Sequence, residues 1–265
     1  MTSQPLAPDE PVIRAREETH GEAEAPLLTE HHADRVVATL NRLDHRNAIN
    51  KATIDALHDL CAELEQRPKT LIITGAGPHF AGGADIAELR DRRAAEAKQG
   101  INLTAFQRIH ALPMPVIAAL SGYALGGGAE LAYAADIRIA SPTLKIGNPE
   151  PGLGIIAAAG ATLRLPEIIG HARAAELLLT GRTLTAEEAL AYGLITSITD
   201  NPLAEAHAIA DRIAKLEPRA VQHTKTVLHT PKQDQPKIIG ELQAELFDSD
   251  AKMRRMTAFL ERKTR

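Results

Sequence analysis

With 265 residues, 44% of them hydrophobic and 24% charged, the chain has the size and composition of a globular protein able to bury a sizeable core, as one large domain or two small ones. A formal net charge of -4 excludes a general nucleic-acid binder. No run approaches the roughly 18 apolar residues a membrane span needs.

Aromatic residues are only 3% of the chain and Trp is absent, so Ala, Leu and Ile must fill the core. The single cysteine, Cys61, excludes an intrachain disulfide and a CxxC metal site, and its place in an apolar helical stripe reads as a buried structural thiol.

Residues 1–26 differ from the rest. They hold Pro5, Pro8, Pro11 and Pro26, and six acidic residues against Arg14 and Arg16. They lack the apolar run of a secretory signal, and their acidity argues against an organelle transit peptide. A disordered arm and a cytoplasmic protein are expected.

Then "LLTEHH" and "RVVATLN" read as strands joined by a hairpin at Ala33-Asp34. A helix starts after Asn50, a good N-cap, with a stripe of Ile54, Leu57, Leu60, Cys61 and Leu64. "TLIIT" is a buried strand. The loop "GAGPHFAGGAD" leads to a helix near Asp85–Arg93, and another helix covers Ile101–Ala111 until Pro113 and Pro115 stop it. "VIAAL" is a strand, "GGGAELAYAA" a helix, and "IRIA" and "LKIG" two more strands. From about residue 164 the pattern is helical. Thr185 with Glu188 makes a capping box, Gly193 follows the end, and helices near 202–216 and 238–262 complete the chain. The division expected is a core over 27–200 and a helical segment over 201–265.

Gly126, Gly127 and Gly128 follow a strand and open a helix. A helix N-terminus presents unpaired N–H groups with positive potential, and glycine lets a ligand atom approach them. A phosphate is a poor fit. The Walker pattern needs Gly-Lys-Ser/Thr, whereas Ala129-Glu130 stands here. An oxygen that becomes negative only during reaction, as in an enolate, suits the amides, and Glu130 is then placed to move a proton. A second carboxylate, Glu150, sits between Pro149 and Pro151, which should hold an extended, stiff backbone. The other Gly-rich loop ends at Ala84-Asp85, a second source of backbone N–H.

Other motifs carry less. "GLGIIA" at 152–157 matches a dinucleotide fingerprint in letters only, since it follows Pro-Glu-Pro and not a buried strand. The eleven histidines form no HExxH, and Ser121 lacks the G-x-S-x-G frame, so neither a metal nor a serine nucleophile is expected.

"LIITGAGPHFAGGADIAEL", "PVIAALSGYALGGGAELAYAADIRIAS" and "LLLTGRTLTAEEALAYGLI" resemble the crotonase superfamily, specifically its enoyl-CoA hydratases and isomerases, in order along roughly 27–262. The resemblance implies an α/β spiral of ββα units, a helical C-terminal segment that forms a homotrimer or a hexamer of two trimers, an acyl-CoA thioester substrate, and no metal or redox cofactor. It assigns Gly127 and Ala84 to an oxyanion hole, Glu130 to water activation and Glu150 to proton delivery at the α-carbon. Ala84, Asp85 and Ile86 would border the bound CoA. Two departures stand out. Ala158 replaces a glycine whose N–H helps hold the water, keeping the N–H without a positive φ, and Pro151 directly follows Glu150, where it could tilt that carboxylate. The expectation is an enoyl-CoA hydratase. An isomerase or other enolate-forming crotonase is the first alternative, and a catalytically silent assembly protein the second. Leu242, Leu246, Met253, Met256 and Leu260 supply an apolar face for assembly.

Overall fold

The computed structural model describes residues 25–263, so the arm expected over 1–26 lies almost wholly outside the described residues. Two sheets carry the site. The larger has six strands in the order β1 (Leu27–His31), β2 (Arg35–Leu40), β3 (Thr70–Gly75), β4 (Val116–Leu120), β6 (Ile137–Ala140) and β9 (Ser197–Ile198). Only the β1–β2 hairpin is antiparallel, with Leu27 opposite Leu40 and His31 opposite Val36. The others run parallel. The smaller sheet orders β5 (Tyr123–Leu125), β7 (Lys145–Gly147) and β8 (Thr183–Thr185).

β3 and β4 are continuous apolar runs because the parallel sheet is covered on both faces. Leu71, Ile73, Val116 and Ala118 face the main core with the stripe of α1 (Lys51–Gln66). Alternate residues Ile72, Ile117, Ala119 and Ile139 face Ala206 and Ala210 of α9 (Pro202–Ala214). So α9, although in the C-terminal segment, closes the outer face of the sheet. α1 begins as expected: the Asn50 side chain accepts a hydrogen bond from Thr53 N–H. Cys61 is buried in that core, and burial pushes its thiol up to about 12, so it stays protonated.

Between these lie α2 (Ile86–Asp91), α3 (Ala94–Lys98), α4 (Ile101–His110), α5 (Gly127–Ala134), α6 (Ala161–Ile169), α7 (His171–Thr180) and α8 (Ala186–Ala191). α10 (Pro218–His229), α11 (Gln235–Phe247) and α12 (Asp250–Lys263) end the chain. Thr185 and Glu188 form the reciprocal capping box at α8. Four expectations change. The stretch after residue 164 is not all helical, since β8 and β9 fall within it. α10 is an additional helix, and the last predicted helix is two, broken at Asp248-Ser249. The Pro149–Pro151 backbone is not extended: Glu150 opens a 3-10 turn, Glu150–Leu153. Pro151 occupies the first turn of that helix, where a missing N–H costs nothing.

Candidate active site

The three glycines solve three separate problems. Gly126 sits at φ 49° and ψ -123°, a backbone open essentially to glycine alone, which turns β5 into α5. A Cβ there would also approach Glu150 Oε1 to 3.0 Å. Gly128 packs on the preceding loop so closely that a Cβ would lie 2.5 Å from the Ala81 carbonyl oxygen. Gly127 is the first residue of α5, so its N–H has no intrahelical acceptor. A Cβ on Gly127 would lie 3.3 Å from the Ala84 nitrogen. Ala84 forms a parallel bridge with Ile49, bracketed by Ile49 N–H to Gly83 O at 2.8 Å and Asp85 N–H to Ile49 O at 2.9 Å. A residue so bracketed directs its own N–H to the other side. The Ala84 and Gly127 amides therefore border one small space.

Glu150 reaches Gly126, next to Gly127, and Glu130 follows Gly127 by three residues on α5. Glu130, one turn into α5, is 3% exposed. Its Oε1 accepts from Ala159 N–H at 2.7 Å and Ala161 N–H at 3.1 Å. Burial raises its pKa to about 7, with a further upward push from the Glu150 charge, against the lowering effect of the two N–H groups. Glu150 is 8% exposed and is also raised by burial. Its Oε1 lies 3.4 Å from the Asn148 amide nitrogen, and its Oε2 has no partner among the described residues. Asn148 accepts in turn from the Tyr133 hydroxyl at 3.1 Å. A sheltered carboxylate poised near neutrality beside a second one is the equipment of general acid–base chemistry.

The sequence model of the enoyl-CoA hydratase/isomerase family matches residues 31–265. The chain belongs to that family. It is 35% identical to the short-chain-enoyl-CoA hydratase of Clostridium acetobutylicum, over 89% of this chain and 95% of that one. It is 36% identical to the crotonyl-CoA hydratase of Syntrophomonas wolfei, with the same coverage. The crystal structure of an enoyl-CoA hydratase from Bacillus anthracis superposes with a TM-score of 0.84 at 31% identity, covering 89% of this chain and 96% of that one. The α/β architecture is thus the crotonase-like fold of the enoyl-CoA hydratase/isomerase family.

Within this member of the enoyl-CoA hydratase/isomerase family, both departures lie close to the two glutamates. Ala158 is exposed, and the N–H groups that reach Glu130 come from its neighbours Ala159 and Ala161. The positive φ of the segment falls on Gly160, at 127°, where a side chain would collide with the buried Arg164 guanidinium. Pro151 is the second residue of the 3-10 turn that Glu150 opens, and Glu150 lies 3.4 Å from the Asn148 amide.

A cavity of about 590 Å³ opens on one side of Ala84, lined also by Asp85, Ile86, His45, Arg46 and Tyr123. Neither Glu130 nor Glu150 is among its lining residues. Asp85 has a structural task there. It caps α2 at Ala87 N–H and pairs with Arg42 at 3.0 Å. Burial alone would raise its carboxyl, but Arg42 and the cap N–H groups hold it below the usual range. His45, Arg46 and Tyr123 escape sequence reasoning because a 3-10 turn and a three-residue strand bring them together. Asn148 and Tyr133 escape it because they look like ordinary strand-end and helix residues.

Proposed function

We infer that the chain is an enoyl-CoA hydratase, a hydro-lyase that adds water across the double bond of a 2-enoyl-CoA. The observation that carries this reading is the pair of sheltered carboxylates beside two adjacent backbone N–H groups. Ala84 and Gly127 would hold the thioester oxygen as negative charge develops on it. Glu130, with Oε1 held by Ala159 and Ala161, would take a proton from water as the water oxygen bonds to C3. The electron pair of the double bond moves to the enolate, and Glu150 would deliver a proton to C2. The cavity at Ala84 would take the CoA portion, with Arg46 and His45 near its phosphates. This chemistry calls for no resident metal or redox cofactor, since coenzyme A belongs to the substrate.

Isomerisation of a 3-enoyl-CoA needs one carboxylate to shuttle a proton and consumes no water, so Glu130 would be idle in it. Glu130→Gln should therefore lower hydration of crotonyl-CoA by at least about 10²-fold and leave isomerisation much less affected. Glu150→Gln should damage both, with thioester affinity little changed in either variant. Near-normal hydration by Glu130→Gln would sink the two-carboxylate reading.

The assembly we propose is a homotrimer or a hexamer of two trimers. Met253 and Met256 on α12 are 59% and 52% exposed, with Phe247 of α11 also outside, a face that a second copy of the chain would cover. Sedimentation as a monomer at micromolar concentration would remove it. No helix among the described residues is long and apolar enough to cross a membrane. A cytoplasmic location fits this reading.

A further inference from the structure

Asn102, itself half-buried, stands in the first turn of α4 between half-buried Ile101 and Leu103, one turn before the buried Ala105 and Phe106 and two before Ile109. It does not cap its helix, which starts at Gly100 without a side-chain cap. Asparagine is a mediocre helix former that usually earns its place by such a bond. Its Oδ1 is sheltered from solvent and has no hydrogen-bond partner among the described residues. Its Nδ2 lies 3.7 Å from where a Cβ on Gly127 would stand, the same point that lies 3.3 Å from the Ala84 nitrogen. The amide of Asn102 thus borders the space where the thioester would bind. The cavity that the hydratase reading gives to CoA is lined from the loops around His45, Gly82 and Tyr123, and no residue of α4 is among its lining. On the hydratase reading Asn102, beside Gly127 and away from the cavity given to CoA, would face the acyl chain.

We propose that Asn102 determines acyl specificity, selecting 2-enoyl-CoA thioesters whose acyl chain carries a hydroxyl. The proposal rests on the hydratase reading. A carboxamide offers one acceptor and two donors, and a buried polar group left unpaired is costly. A plain alkyl chain laid against it would keep Oδ1 unpaired. A hydroxyl donates to Oδ1 and can also accept from Nδ2, so it matches the amide in either orientation. Sites that hydrogen-bond a substrate hydroxyl discriminate strongly against the analogue lacking it.

The test compares kcat/KM for crotonyl-CoA with 4-hydroxybut-2-enoyl-CoA, and for pent-2-enoyl-CoA with 5-hydroxypent-2-enoyl-CoA, in the wild type and in Asn102→Leu. The intrinsic reactivity of each thioester cancels when the two proteins are compared. Asn102→Leu should cut the hydroxyl preference by about 10- to 100-fold for at least one pair, mainly by losing the hydroxylated substrate and with the plain chain unchanged or improved. Asn102→Asp, which keeps an acceptor, should retain more of the preference than Leu, and it decides the matter should the Leu variant fail to fold. Equal losses on hydroxylated and plain substrates, or a preference unaltered in both variants, would overturn the proposal and leave Asn102 a structural residue. Wild-type protein that hydrates none of the four would overturn the hydratase reading itself. Ordinary hydration without a change of preference would overturn the Asn102 role alone.

Discussion

α5 and α11 are helices of opposite habit. Every residue of α5 is buried, including its charged Glu130, whereas α11 buries none of its thirteen. α5 opens with glycines and is held by what surrounds it: Ala81 beneath Gly128, β5 and β7 before it, and α4 and α6 alongside. α11 and α12 follow ordinary helix patterning but turn apolar side chains outward. A buried helix is specified by its neighbours, and a helix whose apolar side chains face outward is specified by itself.

The contrast can be broken at either end. Gly128→Val should be the most damaging change, because its Cβ would enter the space of the Ala81 carbonyl, which cannot rotate away. About 3 kcal/mol of destabilisation is expected in denaturant titration, a large share of an ordinary protein's stability. A variant as stable as the wild type would show that α5 can slide on its loop.

Glu130 links stability to activity with opposite signs. Its folded pKa, about 7, lies above an ordinary 4.5, so the native state binds this proton more tightly than the unfolded chain. The stability it contributes is full below about pH 4.5 and is lost as pH rises through about 7, up to about 3 kcal/mol by pH 8. Glu130→Gln should match the wild type in stability at pH 4 and exceed it at pH 8. On the proposed reading the activity runs the other way, because Glu130 as the base must be ionised. Wild-type kcat/KM should fall about tenfold per pH unit below about 7. A flat profile from pH 5 to 8 would contradict both statements.

At the other end, Met253→Glu with Met256→Glu should leave the protomer's own stability within about 0.5 kcal/mol, since neither side chain is buried in it. The double variant should sediment as a smaller species than the wild type. Unaltered sedimentation would place the assembly face elsewhere. The smallest effect is expected at Gly240, inside α11, where a Cβ would meet nothing within 4 Å. Gly240→Ala should stabilise by about 0.5–1 kcal/mol in thermal melts.

These two habits also explain what could be read in advance. The hairpin, α1 and the capping box at Thr185 were legible because each is specified by residues adjacent in sequence. β5 and β8, three residues each, and β9, two, are too short to show a period. They exist because distant segments supply their partners: Leu125 lies beside Gly147, and Ile139 beside Ser197. α10 escaped notice for another reason. Its one buried residue is Lys225, which reaches Asp136 at 2.8 Å while His229 reaches the other oxygen at 3.0 Å. An ion-paired dock leaves no apolar stripe to find. At the site, Glu130, Glu150, Gly127 and Ala84 stand out through their motifs. The N–H groups of Ala159 and Ala161 do not, because a backbone donor has no letter in the sequence.

The Tyr133–Asn148–Glu150 chain has one more consequence. Glu130 and Tyr133 are three residues apart on α5 and so share a face. One carboxylate is carried by this helix directly, and the other is referred back to it through the Asn148 amide. α5 is in effect a gauge block. The interval between the two carboxylates is machined into a single turn of one buried helix.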